Sequence, residues 1–148
     1  MTIIAITGHR SENCEAEEVV RGRLRDAFLA EKPTTVIVGM ANGVDLWAGD
    51  IALSMGLGVV AAKPWAGHSP RIQDRELYSR IIEGASKVVG VVDVQNYPGA
   101  WVYQRRNEWM VDHADLVIAY WNGVEKGGTY NCVKYAKDKK DVVNIYDR

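Results

Sequence analysis

Short apolar runs alternate with helical periods along this chain. The first run, residues 3–6, is rich in β-branched side chains and closes at Thr7 and Gly8, as a buried strand does. Apolar residues then recur at helical spacing until Pro33 breaks the pattern. The same alternation continues along the rest of the chain. It predicts strands at about 3–6, 34–39, 59–62, 88–92, 116–120 and 142–146, and helices at about 16–28, 43–56, 71–85, 102–113 and 129–136.

This alternation predicts the class of fold. Fully apolar strands separated by amphipathic helices indicate a parallel sheet that is covered on both faces. We therefore expect one three-layer α/β domain over residues 1–148, with a mostly parallel sheet of about six strands. In such sheets ligands bind beyond the carboxyl ends of the strands.

Composition and charge narrow the partners that we expect. The content of 47% hydrophobic and 25% charged residues is that of an ordinary globular protein. A formal net charge of -1 gives no general attraction to polyanions, so we do not expect nucleic acid as a partner. No apolar run approaches the ~20 residues that a membrane span requires, so we expect a cytoplasmic protein with no membrane partner. The many aromatic residues, five tryptophans and seven tyrosines, would suit a homo-oligomer.

The segment 39–45 carries the strongest functional signal. It follows an apolar run and opens a helical pattern, so it predicts a turn from a strand into a helix. Backbone N–H groups and the positive end of the helix dipole converge at such a turn, which favours a phosphate or another anion. Gly39 and Gly43 would let the chain turn sharply and let a ligand approach the backbone.

Asp45 lies in the first turn of that predicted helix, and two roles fit it equally well. It could hold a ribose hydroxyl, as acidic residues do in dinucleotide-binding folds. It could instead accept hydrogen bonds from nearby backbone N–H groups. The sequence leaves both roles open.

Two further glycine-bearing turns occupy the same strand-to-helix position. The segment 7–10 ends the first strand and offers a threonine hydroxyl and an arginine guanidinium to a phosphate. The segment 127–130 opens the last helix, where N–H groups could form an anion site, and Trp121 and Asn122 lie in the loop before it. Because all three turns follow strands, we expect them to share one rim and to bind a nucleotide-like ligand.

The predicted helix 102–113 adds a polar group to these turns. Arg105, Arg106 and Asn107 lie beside the aromatic residues Tyr103 and Trp109. Arginines on a helix usually face solvent. Two of them with an amide and aromatic rings would nevertheless suit a phosphate or a base edge, so we expect at least one ligand contact here.

Several common motifs are missing. The first strand is not followed by GxGxxG, and the sequence has no GxxxxGK[ST], so the usual motifs for NAD binding and ATP hydrolysis are lacking. Cys14 and Cys132 lie far apart and have no metal-ligand spacing. We expect neither a disulfide nor a metal, and no cofactor.

With these motifs the chain resembles the SLOG superfamily, which includes DprA and the lonely-guy enzymes, and within it the YpsA/YoqJ-like branch. The resemblance rests on segments 7–10, 39–48, 104–112 and 127–129. It implies a bacterial or phage protein whose Rossmann-like sheet binds a nucleotide or a nucleotide-derived ligand, such as an ADP-ribose-like molecule. The positions that it implies and those argued above together give these expected ligand contacts: Thr7, Gly8, His9, Arg10, Gly39, Met40, Ala41, Gly43, Val44, Asp45, Arg105, Arg106, Asn107, Trp121, Asn122, Gly127, Gly128, Thr129 and Tyr130.

One departure from the family bears on catalysis. The lonely-guy enzymes carry Pro-Gly-Gly-x-Gly-Thr-x-x-Glu, and matching their Gly-Thr to Gly128 and Thr129 puts Cys132 where their catalytic glutamate belongs. We therefore favour a sensor or ligand-binding protein. Two alternatives stay open: a hydrolase or transferase of N-glycosidic bonds with Asp45 as candidate catalytic carboxylate, and a protein- or DNA-interaction module with a vestigial pocket.

Overall fold

The computed structural model describes residues 1–146, in which strands and helices alternate. The strands are β1 (Ile3–Gly8), β2 (Thr35–Val38), β3 (Gly58–Trp65), β4 (Lys87–Val92), β5 (Leu116–Tyr120) and β6 (Asp141–Asn144). The α-helices are α1 (Glu17–Glu31), α2 (Val44–Ser54), α3 (Arg75–Gly84), α4 (Trp101–Asp112) and α5 (Gly128–Ala136). Short 3-10 turns stand at Ser11–Asn13 and Ile72–Asp74.

The six strands form one sheet in the order β4-β3-β2-β1-β5-β6, and every neighbouring pair is parallel. The expected single α/β domain with a Rossmann-like sheet is therefore confirmed. The chain starts at β1, moves outward to β4, and returns to place β5 on the other side of β1. The order thus reverses between β1 and β5, which is where α/β sheets of this kind open a crevice for ligands.

The two faces of the sheet hold two separate cores. Successive side chains of a strand point to opposite faces, so Ile4 and Ile6 join the core under α1, α2 and α3, whereas Ala5 joins the core under α4 and α5. Each helix therefore buries its apolar side on a fixed face. Within residues 1–146, no helix combines the length and the apolar character needed to cross a bilayer.

The third strand is longer than predicted, because the sequence pattern placed a loop from Pro64 onward. β3 instead continues to Trp65, which pairs with Val92 of β4. The β2 ladder ends where Val38 meets Ala61. Alternation along the strand turns the nitrogen of Pro64 toward the side on which β2 has already ended. No ladder hydrogen bond is lost there, so proline is tolerated.

A candidate ligand-binding cleft

An open cleft of about 800 Å³ lies at the carboxyl ends of β1 and β5. This is the point where the strand order reverses, and the volume is typical of small-molecule sites. The wall combines the loop after β1, the start of α2, one side of α4, and the segment from β5 into α5. Its lining residues are Ile6, Thr7, Gly8, His9, Arg10, Asn13, Ala41, Asp45, Ala100, Tyr103, Gln104, Arg106, Asn107, Met110, Asn122, Val124, Lys126, Gly127, Gly128, Thr129 and Asn131.

The N-terminus of α5 opens directly onto this cleft. Gly127 precedes the helix with φ 95°, and no side chain caps it. The backbone N–H groups of Gly128, Thr129 and Tyr130 have no acceptor within residues 1–146. A Cβ atom built on Gly127 or Gly128 would meet nothing within 4 Å. This helix end therefore presents free donors and the positive end of its dipole to the cleft.

The N-terminus of α2 is closed instead. The N–H of Val44 donates to the carbonyl of His9 at 3.2 Å. Gly43 has φ 92°, and a Cβ built there would lie 2.6 Å from the His9 oxygen and the Ser11 nitrogen. A Cβ on Gly8 would lie 2.5 Å from the Cβ of Val44. Gly8 and Gly43 thus let the loop after β1 pack across the start of α2.

Asp45 and Arg106 approach each other at the floor of the cleft. Asp45 Oδ2 accepts the N–H of Ala41 at 3.2 Å, and Arg106 donates from Nη1 to the Gly39 carbonyl at 2.5 Å and from Nε to Asn107 Oδ1 at 2.9 Å. A Cβ on Gly39 would lie 2.9 Å from Asp45 Oδ2 and 3.0 Å from Arg106 Cζ. Glycine at this position therefore leaves room for the carboxylate and the guanidinium.

Burial shifts the protonation of both groups. It raises the pKa of Asp45 to about 6, although the Arg106 charge and the Ala41 N–H act in the opposite direction. It lowers the pKa of Arg106 from its ordinary value, and Asp45 opposes that shift. No solvent-inaccessible side-chain nitrogen or oxygen among residues 1–146 lacks a hydrogen-bond partner. Arg106 Nη2 and Asp45 Oδ1 bond to no described residue and so retain accessible surface at this site.

A smaller cavity of about 100 Å³ adjoins the cleft and shares Arg106, Arg10 and Tyr103 with it. Met40, His68 and Arg71 are among its other walls. Burial and the charge of Arg106 lower the pKa of His68 to about 4, so its ring is neutral at neutral pH. The cavity thus extends the cationic side of the cleft.

His9 connects the loop after β1 to the loop after β5. Its Nε2 accepts the backbone N–H of Asn122 at 3.0 Å, and its ring meets the edge of Tyr120 at 6.1 Å between centroids. Burial lowers the pKa of His9, while the Asn122 contact opposes that shift. The neutral ring is the form that can accept this hydrogen bond.

Cys132, at the position of the lonely-guy glutamate, does not line the cleft. It is 2% exposed, and burial raises the pKa of its thiol to about 11. The thiol is therefore neutral at neutral pH and unsuited to the proton transfer that a carboxylate performs. Among residues 1–146, His, Cys, Asp and Glu form no group of three or more that could bind a metal ion.

Most of the predicted contact residues come together around the cleft, but some do not. Arg105 points away from it, with its Cζ 5.5 Å from the centroid of the Trp101 ring. Trp121 stacks on Tyr130 at 5.9 Å and donates from its indole nitrogen to the carbonyl of Val124. Three predicted contacts lie behind the cleft wall and contact other residues of the protein instead: Gly39, Gly43 and Val44. Met40 lines the smaller cavity. The predicted residues that line the cleft are Thr7, Gly8, His9, Arg10, Ala41, Asp45, Arg106, Asn107, Asn122, Gly127, Gly128 and Thr129.

The prediction missed several lining residues. Gln104 precedes Asn107 by three positions, and Asn131 follows Gly128 by three. Each shares a helix face with a predicted contact, so helical spacing would have identified both. Asn13 reaches the cleft through the 3-10 turn after β1, for which the sequence carries no comparable signal.

Comparison with known proteins supports the predicted resemblance. The chain is 35% identical to the SPbeta prophage-derived protein YoqJ of Bacillus subtilis over 69 residues, which are 40% of each protein. The fold matches DNA processing protein A of Streptococcus pneumoniae with a TM-score of 0.71 and 19% identity, over 96% of this chain and 49% of that one. It also matches the molybdenum cofactor binding protein of Rippkaea orientalis with a TM-score of 0.63 and 19% identity, over 95% of this chain and 74% of that one. The matched part of this chain therefore covers less than half of YoqJ and about half of the Streptococcus pneumoniae protein.

The expectation that excludes nucleic acid as a partner is wrong. The fold matches DNA processing protein A of Helicobacter pylori, a single-stranded DNA-binding protein, with a TM-score of 0.73 and 19% identity, over 95% of this chain and 63% of that one. The family model of DNA recombination-mediator protein A matches residues 1–148. The net charge is an average over the whole surface and does not describe the cleft. Among residues 1–146, the cleft is lined by three cationic side chains, Arg10, Arg106 and Lys126, and by the single carboxylate of Asp45. On this full-length match, the chain belongs to the DNA recombination-mediator protein A family.

Proposed function

We propose that the protein binds a phosphate-bearing nucleotide or nucleotide-derived ligand in the cleft. The observation that carries this proposal is the open N-terminus of α5 at the point where the strand order reverses. Three consecutive N–H groups without acceptors, those of Gly128, Thr129 and Tyr130, suit the oxygens of a phosphate. Lys126 and Arg10 at the rim add positive charge.

The rest of the wall supplies groups for the sugar and the base. Asp45 Oδ1 and Arg106 Nη2 keep hydrogen-bonding capacity that no described residue uses. The ring of Tyr103 lies on the side of α4 that lines the cleft and offers an aromatic surface to a heterocycle. We place the phosphate at α5 and the remainder of the ligand toward α4 and Asp45.

Calorimetry and thermal shift against a matched panel test this proposal. The panel pairs each nucleoside with its monophosphate and adds diphosphates, cyclic nucleotides, ADP-ribose and NAD. We expect at least one phosphorylated member to bind at least about tenfold more tightly than the matched nucleoside, because the phosphate adds charged hydrogen bonds. Ligand at 100 times its Kd should stabilise the fold by about 2.7 kcal/mol. Equal affinity for nucleosides and nucleotides, or no binding by folded protein, would contradict the proposal.

A second candidate is single-stranded DNA, with one of its nucleotides in the same cleft. Membership of the DNA recombination-mediator family and the fold shared with the Helicobacter pylori protein support it. Anisotropy of a labelled oligo-dT, read at two salt concentrations, measures this binding and its electrostatic share. Displacement of the oligonucleotide by a mononucleotide would place both in one site. Binding that no mononucleotide displaces would place DNA elsewhere on the surface.

Cleavage of an N-glycosidic bond is a third candidate, and the raised pKa of Asp45 favours it. A carboxyl group with a pKa of about 6 inside a cleft can exchange a proton near neutral pH. Chromatography of free base released from nucleoside monophosphates and NAD tests it. Release that disappears in Asp45→Asn, with ligand binding intact, would establish catalysis. The absence of release at high protein concentration would leave a binding protein.

A further inference from the structure

The smaller cavity beside the cleft carries more cationic than anionic side chains. Three arginines line it: Arg10, Arg71 and Arg106. Among residues 1–146, Asp74 is the only carboxylate in its wall. Asp74 already accepts hydrogen bonds from Arg71 Nε at 3.2 Å and from Asn42 Nδ2 at 3.1 Å. Three guanidinium groups around one carboxylate leave an excess of positive charge, which favours an anion.

All three guanidinium groups retain donors that no described residue uses. Arg106 is 7% exposed, and its Nη2 bonds to nothing within residues 1–146. Asp45 lines the cleft but not the smaller cavity, so it compensates the charge of Arg106 from one side. Arg71 bonds to Asp74 through Nε alone, and the side chain of Arg10 forms no hydrogen bond or ion pair with a described residue. A buried cation with an unused donor is costly to leave without a partner, so Arg106 gains most from a bound anion.

The smaller cavity and the cleft are neighbouring parts of one binding surface. Both are lined by Arg10, Tyr103 and Arg106. A short path of side chains also connects Arg106 to the open start of α5. Arg106 Nε donates to Asn107 Oδ1 at 2.9 Å, and Asn107 Nδ2 donates to the Gly128 carbonyl at 3.4 Å. Two hydrogen bonds and one amide group thus separate the guanidinium from the helix end, so one nucleotide-sized ligand can reach both.

We propose that the smaller cavity binds a second phosphate of the ligand whose first phosphate lies at the start of α5. The second phosphate presupposes the first, so this inference rests on the proposed function. It lies among Arg10, Arg71 and Arg106, which form charge-assisted hydrogen bonds with its oxygens. Three kinds of ligand share this chemistry: a nucleoside diphosphate, a nucleoside bisphosphate, and an oligonucleotide with successive phosphodiesters.

Calorimetry with matched phosphorylated probes tests this second site. For each base, the 5′-monophosphate is compared with the 5′-diphosphate, the 3′,5′-bisphosphate and the 5′-phosphorylated dinucleotide. At least one probe with two phosphates should bind at least about tenfold more tightly than the monophosphate, because it adds charge-assisted hydrogen bonds. The probe with the largest gain shows how the two phosphates of the ligand are linked.

Arg71→Gln separates the two phosphate positions, because Arg71 lines the smaller cavity and not the cleft. The measured quantity is the ratio of the affinity for the best probe with two phosphates to the affinity for its monophosphate. In Arg71→Gln this ratio should fall at least about fivefold, since a charged hydrogen-bond donor to the second phosphate is lost. Arg75→Gln removes the same charge from a nearby exposed position that lines neither cavity, and it should leave the ratio unchanged.

The outcomes distinguish this inference from the proposed function. A monophosphate that binds with no gain from a second phosphate would overturn the second site and leave the proposed function standing. A gain that survives in Arg71→Gln, or falls equally in Arg75→Gln, would also overturn the second site, because the gain would then be a general effect of charge. Failure of every phosphorylated probe to bind folded protein would overturn both. Thermal unfolding of each variant reports on its fold.

Discussion

The starts of α2 and α5 look alike in sequence and differ in structure. Both follow a strand through glycine, and both were expected to receive a phosphate. The start of α2 is covered by the loop after β1, with the Val44 N–H bonded to His9. The start of α5 is exposed, and the N–H groups of Gly128, Thr129 and Tyr130 have no acceptor within the described residues.

This difference shows that a glycine turn at a helix start has two uses. At Gly43 the missing side chain admits another segment of the same protein, which then occupies the helix end. At Gly127 and Gly128 it keeps the helix end open to solvent. Contacts around the glycine, rather than the glycine itself, therefore distinguish a packing site from a ligand site.

The largest expected effect is on stability, and it distinguishes the start of α2 from the start of α5. Gly43→Ala should lower the free energy of unfolding by about 3 kcal/mol, because its Cβ would meet backbone atoms and its φ is unfavourable for a side chain. Gly128→Ala should change that free energy by less than about 0.5 kcal/mol, since nothing stands near its Cβ position. Urea unfolding measures both. Similar losses in the two variants would contradict the distinction between a covered and an open turn.

The next effect concerns the acidic residue in the first turn of α2. The pKa of Asp45 is raised from 3.8 to about 6, so the folded state holds a proton that the unfolded chain has released. The stability linked to this proton is fully present below pH 3.8 and is lost as pH rises through 6.

Asp45→Asn should remove that dependence on pH. The free energy of unfolding of the variant minus that of wild type should rise by about 2 kcal/mol between pH 4 and pH 7. Denaturant unfolding over this range measures the difference, and Asp26→Asn on the exposed side of α1 serves as a control. A difference that stays constant with pH would show that the carboxyl group of Asp45 titrates normally.

The smallest effect on stability concerns an acidic residue introduced at the start of α5. Gly128→Asp should stabilise the fold by about 0.3–1 kcal/mol through the helix dipole. It should also weaken binding of a phosphorylated ligand at least about tenfold, because the new carboxylate competes for the same N–H groups. Gly128→Asn, with the same shape and no charge, is the control for binding by calorimetry. Equal affinity of the two variants would argue against a phosphate at this helix end.

Strand positions followed from the sequence wherever an apolar run had clear ends. β5 was predicted at 116–120 and occupies Leu116–Tyr120, because a buried parallel strand is apolar throughout. β3 was predicted too short because proline usually ends a strand. Whether it does so depends on which neighbouring strand its nitrogen faces, and that requires the register with β2.

The candidate site was predictable by element but not by side chain. Arg105 and Arg106 are adjacent in sequence, yet Arg106 is 7% exposed and reaches Gly39, whereas Arg105 lies against Trp101 on the outside. Neighbouring residues on a helix point about 100° apart, so the packing of α4 on the sheet decides between them. For Asp45, the hydrogen bond to the Ala41 N–H is present, and contact with a ribose stays a prediction.

The contact of Arg106 with Gly39 has a mechanical consequence. α4 packs on one face of the sheet and α2 on the other. The guanidinium of Arg106 on α4 donates a hydrogen bond to Gly39, in the turn that leads into α2, and so connects the two faces at the edge of the cleft. Asp45 belongs to α2 and faces the same guanidinium. A ligand that contacts both the Arg106 guanidinium and the Asp45 carboxylate would therefore link the helices on the two faces of the sheet. Ligand bound in the cleft should thus slow local opening on both faces of the sheet. Amide hydrogen exchange should slow in α2 and in α4 together.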